Sequence, residues 1–211
     1  MARVTILGTL AAECERISSC LLPLTDDDFA RPTRCGEWNV KELLAHLYRD
    51  IEQVAVMVAE PPAPAIDADA VSYWGMYDPV VDGRSIADRA KMRAAAHRTG
   101  HELARIWDWM WPKALDDAKR EDTDRIIRTW GPGMLLQEFL RTRVVEAAVH
   151  GLDLADALGR VPWLTPAGCS MTGFPRFCSP TWWGRRRRLW SSATRSGRTS
   201  SIGITPSSGA S

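Results

Sequence analysis

Four long segments of this chain repeat apolar residues at the three- and four-residue spacing of an α-helix, and no alternating strand pattern competes with them. The segments cover roughly residues 3–22, 39–60, 85–111 and 133–158. Pro23, the proline-rich stretch 61–64 and Pro112 are expected to end the first three, and Gly159 is placed to cap the fourth. Four helices with one long connection, here over 61–84, are typical of a four-helix bundle. The sequence therefore predicts an all-α fold.

The balanced charge of the whole chain conceals an asymmetry. The chain has 27 Lys and Arg against 26 Asp and Glu, a net charge of +1, but Asp156 is the last acidic residue. Residues 157–211 hold eight Arg and no Lys, so they carry +8 and residues 1–156 carry −7. We expect a globular domain over 1–165 and an irregular, basic, Arg/Ser-rich tail over 166–211.

The tail has three interpretations. Its abrupt change of composition resembles the product of a shifted reading frame, and a disordered tail is the simple alternative. The third is a basic arm that contacts nucleic acid or anionic lipid through the arginine run 185–188. We do not expect a nucleic-acid partner.

Composition also bears on the compartment. No apolar run approaches the roughly 18 residues that a membrane helix needs, so no membrane partner is expected. The first residues are interrupted by Glu13 and Glu15 and make a poor signal peptide. Five scattered cysteines without a CxxC pair argue against a disulfide framework and a cysteine zinc site. We expect a cytoplasmic protein, and no feature selects an oligomeric state.

The histidines and one carboxylate carry the chemistry. Glu146 and His150 lie about 40° apart on the fourth helix, on a face with apolar residues above and below them. An ionised carboxylate on such a face is costly unless it is paired or bound to a metal. His46 lies at the edge of the apolar stripe of the second helix. These three residues could form a catalytic zinc site with an open fourth position. Alternatively, Glu146 and a histidine form a hydrogen bond that joins two helices, and geometry alone favours this second interpretation.

Other residues have simpler predicted roles. Asp153 shares the face of Glu146 and either accepts a hydrogen bond from a ligand histidine or is an exposed helix charge. His97 and His101 fall opposite the apolar face of the third segment, so they are expected to be solvated rather than metal ligands. Cys35 is expected to pack in its loop rather than act as a nucleophile, because no histidine is near it in sequence. Trp38 is expected to anchor the core.

Two motifs carry a resemblance to a known family. The first is RPTRCGEWNVKELLAHL at 31–47, and the second, about 100 residues later, is RVVEAAVHGLDLADALG at 143–159. Together they resemble the DinB-like superfamily, and within it the N-terminal metal-binding domain of mycothiol-dependent maleylpyruvate isomerases. The resemblance covers roughly residues 1–165.

The resemblance implies a DinB-like four-helix bundle that binds a divalent metal, typically Zn²⁺. Carried over by motif, the ligands are His46 from the second helix and Glu146 and His150 from the fourth, with Glu146 where some relatives have a third histidine. It also implies mycothiol as a thiol cosubstrate, whose metal-bound thiolate attacks a small electrophile in an isomerase or S-transferase reaction. The alternatives are a non-catalytic metal-binding bundle that lacks the second domain of the isomerases, and a structural bundle without metal.

Overall fold

The computed structural model describes residues 5–78, 81–163 and 165, and this part of the chain is mostly helical. The predicted all-α class is therefore confirmed, with one small antiparallel hairpin that the sequence pattern did not indicate. The elements, in chain order, are α1 Ile6–Leu21, α2 Asp26–Phe29, α3 Val40–Ala59, α4 Ala70–Gly75, α5 Val81–Ala95, α6 Gly100–Lys119, β1 Ile126–Arg128, β2 Gly133–Leu135 and α7 Leu136–Ala157.

Four of the helices form the predicted DinB-like bundle. α1 packs against α6 and α7, and α3 packs against the same two helices, so the four enclose a common core. One fully buried side chain from each helix illustrates this core: Leu10, Leu43, Trp107 and Phe139. α5 lies outside the four and packs on α3.

The beginning of α3 is fixed by a capping box. The Asn39 side chain accepts a hydrogen bond from the Glu42 backbone N–H, and the Glu42 carboxylate accepts one from the Asn39 N–H. These bonds satisfy two backbone donors that have no partner inside the helix. Because the helix begins there, Leu43, His46 and Leu47 follow on its inner side, and both leucines are fully buried.

The prediction of one helix over 85–111 was wrong. The chain forms α5, leaves the helix at 96–99, and begins α6 with Thr99 as the N-cap that accepts from the Glu102 N–H. Gly100 allows this arrangement because a Cβ there would lie 2.0 Å from Cγ of Phe29. The break lets α5 turn away from the bundle while α6 becomes its third long helix.

Pro112 does not end the helix, which was also predicted incorrectly. It lies inside α6, which continues to Lys119. An internal proline costs about 3 kcal/mol, since one backbone hydrogen bond is lost. Burial of the next turn offsets this cost: Ala114, Leu115 and Ala118 are all 2% exposed or less. Packing therefore overrides the local helix-breaking signal.

The hairpin between α6 and α7 was not predicted. Ile127 of β1 lies opposite Met134 of β2, and both side chains are buried. The backbone of Gly133 accepts a hydrogen bond from the Asp67 N–H at 2.8 Å, and a Cβ on Gly133 would lie 2.1 Å from the Ala65 carbonyl oxygen. This close approach joins the long connection to the hairpin, whose turn carries Trp130 towards α3 and α7.

Two expectations from the sequence concern a membrane span and the C-terminal tail. None of the helices in the described residues is both long and apolar enough to cross a bilayer. The division at 165/166 and the basic tail over 166–211 remain predictions, because residues 166–211 lie outside the described residues.

Candidate metal centre

The structure brings His46, Glu146 and His150 together between α3 and α7. One carboxylate oxygen, Oε2 of Glu146, lies 3.5 Å from Nε2 of His46 and 3.1 Å from Nε2 of His150. The two imidazole rings are perpendicular, with centroids 4.9 Å apart. All three side chains are only 12–15% exposed. Their potential ligand atoms lie within 4.8 Å of one another, which is compatible with a single shared ion.

The other ring nitrogen of His150, Nδ1, also has a partner. Its Nδ1 lies 3.0 Å from Oδ2 of Asp153, one turn later on α7. If the carboxylate accepts an Nδ1–H, a neutral His150 directs the lone pair of its Nε2 at the oxygen of Glu146. That contact is repulsive unless His150 is protonated or a cation lies between the two atoms. The arrangement of Asp153, His150 and Glu146 therefore fits a metal ligand whose tautomer is fixed by a carboxylate.

Without a metal, the same contacts favour an imidazolium–carboxylate pair. Burial lowers the pKa of His150, but the hydrogen bonds with Asp153, Cys35 and Glu146 outweigh this effect and raise it well above its ordinary value. Burial raises the pKa of Glu146, but its contacts with His150 and His46 outweigh that effect and hold the pKa below its usual range. Both shifts show that this pocket stabilises positive charge beside Glu146, which a divalent cation would also supply.

Cys35 belongs to this cluster, which sequence reasoning missed. Its Sγ lies 3.7 Å from Nδ1 of His150 and donates a hydrogen bond to Oδ2 of Asp153 at 3.2 Å. The prediction that Cys35 only packs in its loop was therefore incomplete. No histidine is near Cys35 in the sequence, but the fold brings His150 to it from 115 positions away. The first motif, which contains Cys35 and His46, was the signal available.

The remaining predicted residues have clear positions. Trp38 is 8% exposed and belongs to the core, as expected, and its ring centroid lies 5.0 Å from that of His46. His97 and His101 are half-buried, so the prediction that both are solvated was wrong. His97 lies in the turn before α6, and the ring of His101 packs against Phe29. The break at 96–99 separates the two histidines, which therefore do not share one helix face.

The three residues border a cavity of about 800 Å³. Its walls include five aromatic side chains, from three parts of the chain: Trp38, Tyr73, Trp74, Tyr77 and Trp130. Burial raises the pKa of Tyr73 to about 12, so its phenol keeps its proton at neutral pH. The volume suits one or two small molecules.

The cavity wall also carries positive charge, from Arg49, Arg89, Arg93 and Arg143. Arg93 pairs with Glu52 at 2.9 Å and Arg143 with Asp50 at 3.1 Å. Within the described part of the chain, Arg49 and Arg89 form no salt bridge, and the Arg49 guanidinium lies 5.1 Å from the centre of the Trp130 ring. The cavity therefore has two cations available for an anionic group.

Comparison with known proteins agrees with the fold and the motifs. A search of curated proteins and a search of solved structures each gave no match to the chain. The model of one family, described as the mycothiol maleylpyruvate isomerase N-terminal domain, matches residues 10–155, well over half of the chain. The matched range includes α3 and α7 up to Ala155, and hence every residue of the cluster described above. The chain therefore belongs to the mycothiol maleylpyruvate isomerase N-terminal domain family.

Proposed function

We propose that this chain binds a divalent metal, which we expect to be Zn²⁺, and acts with mycothiol as a thiol S-transferase or isomerase on a small electrophile. The observation that carries the proposal is the position of one carboxylate oxygen of Glu146, which faces an imidazole nitrogen from each of two helices. His46, Glu146 and His150 would be the ligands. A common donor set of catalytic zinc sites is two nitrogens and one oxygen, with a fourth position left for another ligand.

A metal held by these residues would favour the ionised form of a coordinated thiol, whereas a free thiol, with a pKa of about 8.5, is only a few per cent ionised at pH 7. The chain's own residues supply the rest of the site. Asp153 holds the ring of His150 in one orientation through Nδ1. The aromatic side chains of the cavity wall would supply apolar contact area for the bound molecules.

The charge of the cavity bears on the electrophile. Arg49 and Arg89 form no salt bridge in the described residues, and a guanidinium binds a carboxylate through two parallel hydrogen bonds. A carboxylate-bearing electrophile would therefore be held at the cavity wall beside the thiol. We also propose a cytoplasmic location, which agrees with the free thiols of the three described cysteines, Cys14, Cys20 and Cys35.

Elemental analysis of the purified full chain tests the metal site. The parent protein should contain about one zinc per chain after reconstitution, and His46→Ala, Glu146→Ala and His150→Ala should each lose it. His101→Ala is the matched control, since this histidine packs against Phe29 away from the cluster and should leave the zinc content unchanged. Zinc retained at full stoichiometry in His150→Ala would contradict the ligand assignment.

A thiol-conjugation assay then tests the enzymatic part. The zinc-loaded parent should consume mycothiol in the presence of an electrophile, and the three ligand variants should not. Zinc binding without mycothiol consumption across a panel of electrophiles would support the non-catalytic metal-binding alternative instead.

A further inference from the structure

A buried ion pair joins the two helices that carry the metal centre. Nη1 of Arg143 on α7 lies 3.1 Å from Oδ1 of Asp50 on α3. Arg143 is 2% exposed and Asp50 is 7% exposed. Removing both charges from water is costly, and well-packed apolar residues often stabilise a fold equally well. The pair is therefore poorly explained by stability alone.

The pair lies one turn from the predicted ligands on both helices. Asp50 follows His46 by four residues on α3, and Arg143 precedes Glu146 by three residues on α7. Positions three and four apart lie on the same side of a helix. The ion pair therefore spans the same α3–α7 interface as the contact between His46 and Glu146.

Arg143 is itself held firmly. Its Nε donates a hydrogen bond to Oγ1 of Thr142 at 3.1 Å, and its guanidinium lies 4.8 Å from the centre of the Phe139 ring. An arginine fixed in this way presents its remaining N–H groups in a defined direction. It therefore also fixes the orientation of the Asp50 carboxylate.

The other oxygen of that carboxylate faces the metal centre. Oδ2 of Asp50 lies 3.3 Å from Nε2 of His46, and no hydrogen bond of good geometry reaches it from the described residues. Buried polar atoms usually have a hydrogen-bond partner, so an oxygen left in this position calls for an explanation. It lies beside Nε2 of His46, the nitrogen that also faces Glu146, so a cation bound at that nitrogen would lie close to this oxygen as well.

We propose that the buried ion pair of Asp50 and Arg143 positions the imidazole of His46 in the metal centre. His46 is the one proposed ligand on α3, so its placement depends on the register of α3 against α7. The ion pair sets that register one turn away, and it holds Oδ2 of Asp50 against Nε2 of His46, the nitrogen that would bind the metal. This inference rests on the proposed function, because it assigns both residues a role through the metal ligands.

Zinc affinity and the Co²⁺ spectrum of the full chain test this role. Asp50→Asn removes the charge and keeps the side-chain size, and it should weaken zinc binding by about 10- to 100-fold, the usual effect of losing a residue that orients a ligand. At saturating Co²⁺, its absorption spectrum should differ from that of the parent, because the geometry around His46 has changed. Arg143→Lys, which keeps the charge but lacks the planar fork, should show the same change in weaker form.

Glu52→Gln is the matched control. Glu52 also lies on α3 and forms a salt bridge to another helix, with Arg93 of α5 at 2.9 Å. This variant should keep the zinc affinity and Co²⁺ spectrum of the parent, even where its stability to urea falls as much as that of the Asp50 variant. If Asp50→Asn does not fold, Arg143→Lys carries the comparison.

The outcomes separate the two proposals. A folded Asp50→Asn or Arg143→Lys variant with parental zinc affinity and Co²⁺ spectrum would overturn the positioning role and leave the metal site intact. Equal losses of affinity in Glu52→Gln and Asp50→Asn would overturn it as well, since general destabilisation would then explain both. A parent protein that binds neither ion would overturn the proposed function together with this inference.

Discussion

Cys35 and His150 are 115 positions apart in the sequence, yet Sγ of the first lies 3.7 Å from Nδ1 of the second. The same sulfur donates a hydrogen bond to Oδ2 of Asp153, and that oxygen also contacts Nδ1 of His150. The loop that precedes α3 therefore contacts His150, a proposed metal ligand, at the edge of the ring opposite Glu146. A change at Cys35 should consequently alter the surroundings of the His150 imidazole.

Alkylation tests this relationship. Cys35 is half-buried, whereas Cys14 and Cys20 are 0% and 4% exposed and burial raises the pKa of both thiols. Iodoacetamide should therefore modify Cys35 before the other two, as read by peptide mass spectrometry. The added group would displace the hydrogen bond to Asp153, so the modified protein should bind zinc about tenfold more weakly.

Cys35→Ser is the control for this experiment. The hydroxyl can still donate to Asp153, so the variant should bind zinc and keep that affinity after iodoacetamide treatment. Labelling of Cys14 at the same rate as Cys35 in the native protein would contradict the placement of these thiols.

The positions of the proposed ligands could be predicted from the sequence because they depend on local geometry. Glu146 and His150 are four residues apart on one helix, so the helical period alone places them on one face. His46 follows from the start of α3, which the capping pair Asn39 and Glu42 marks in the sequence. The bundle itself follows from the apolar stripes of these helices.

Other features depend on tertiary contacts and could not be predicted so directly. Cys35 reaches His150 only after α3 and α7 have packed, and no local pattern encodes that distance. Pro112 signals a helix end, but burial of Leu115 in the next turn outweighs it. The break before α6 did carry a local signal, since Thr99 followed by Glu102 is a typical helix start, but the surrounding apolar period concealed it.

Zinc binding should depend on pH through His150. Its pKa is raised, so zinc must displace a proton from it at neutral pH, and the apparent zinc affinity should keep rising above about pH 7.5, where an ordinary histidine, with a pKa of about 6.5, is almost fully neutral. Asp153→Asn weakens the hydrogen bond that contributes to this shift, because an amide oxygen is a weaker acceptor than a carboxylate oxygen. The variant should reach its maximal affinity at lower pH, and that maximum should be about tenfold weaker.

A competition assay with a chromogenic chelator at a series of pH values measures both effects. Asp156→Asn provides the control, because Asp156 lies one turn further along α7 and pairs with Arg34 at 2.6 Å instead. Identical pH profiles for the parent and Asp153→Asn would show that Asp153 does not influence the proton on His150.

Gly100→Ala should destabilise the protein. A Cβ at this position would lie 2.0 Å from Cγ of Phe29, so α2 or the start of α6 would have to move. Overpacking of this kind costs about 1–3 kcal/mol. In Gly75→Ala, by contrast, the new Cβ meets nothing within 4 Å. The free energy of unfolding of this variant should rise, or differ from that of the parent by less than about 1 kcal/mol. Urea unfolding monitored by circular dichroism compares the two, and equal midpoints would contradict the close approach of Gly100 and Phe29.

Glu13 should make the stability of the fold depend on pH. It is fully buried on α1, where Oε1 accepts hydrogen bonds from the backbone N–H and the hydroxyl of Thr165, at 3.0 and 2.6 Å. Its second oxygen, Oε2, has no hydrogen-bond partner in the described residues. Burial raises the pKa of this carboxyl, and the bonds from Thr165 offset the effect only in part.

The sign of the effect follows from the raised pKa. The folded protein holds this proton to higher pH than the unfolded chain, in which the pKa is about 4.3. The stabilisation from the protonated carboxyl is therefore complete below about pH 4.3 and is lost as the pH rises through the folded pKa. Glu13→Gln cannot titrate, so the free energy of unfolding of the parent should fall relative to this variant over that interval. Urea unfolding at a series of pH values measures the difference, with the exposed Glu15→Gln as control. A difference between the parent and Glu13→Gln that stays constant with pH would show that Glu13 keeps an ordinary pKa in the folded protein.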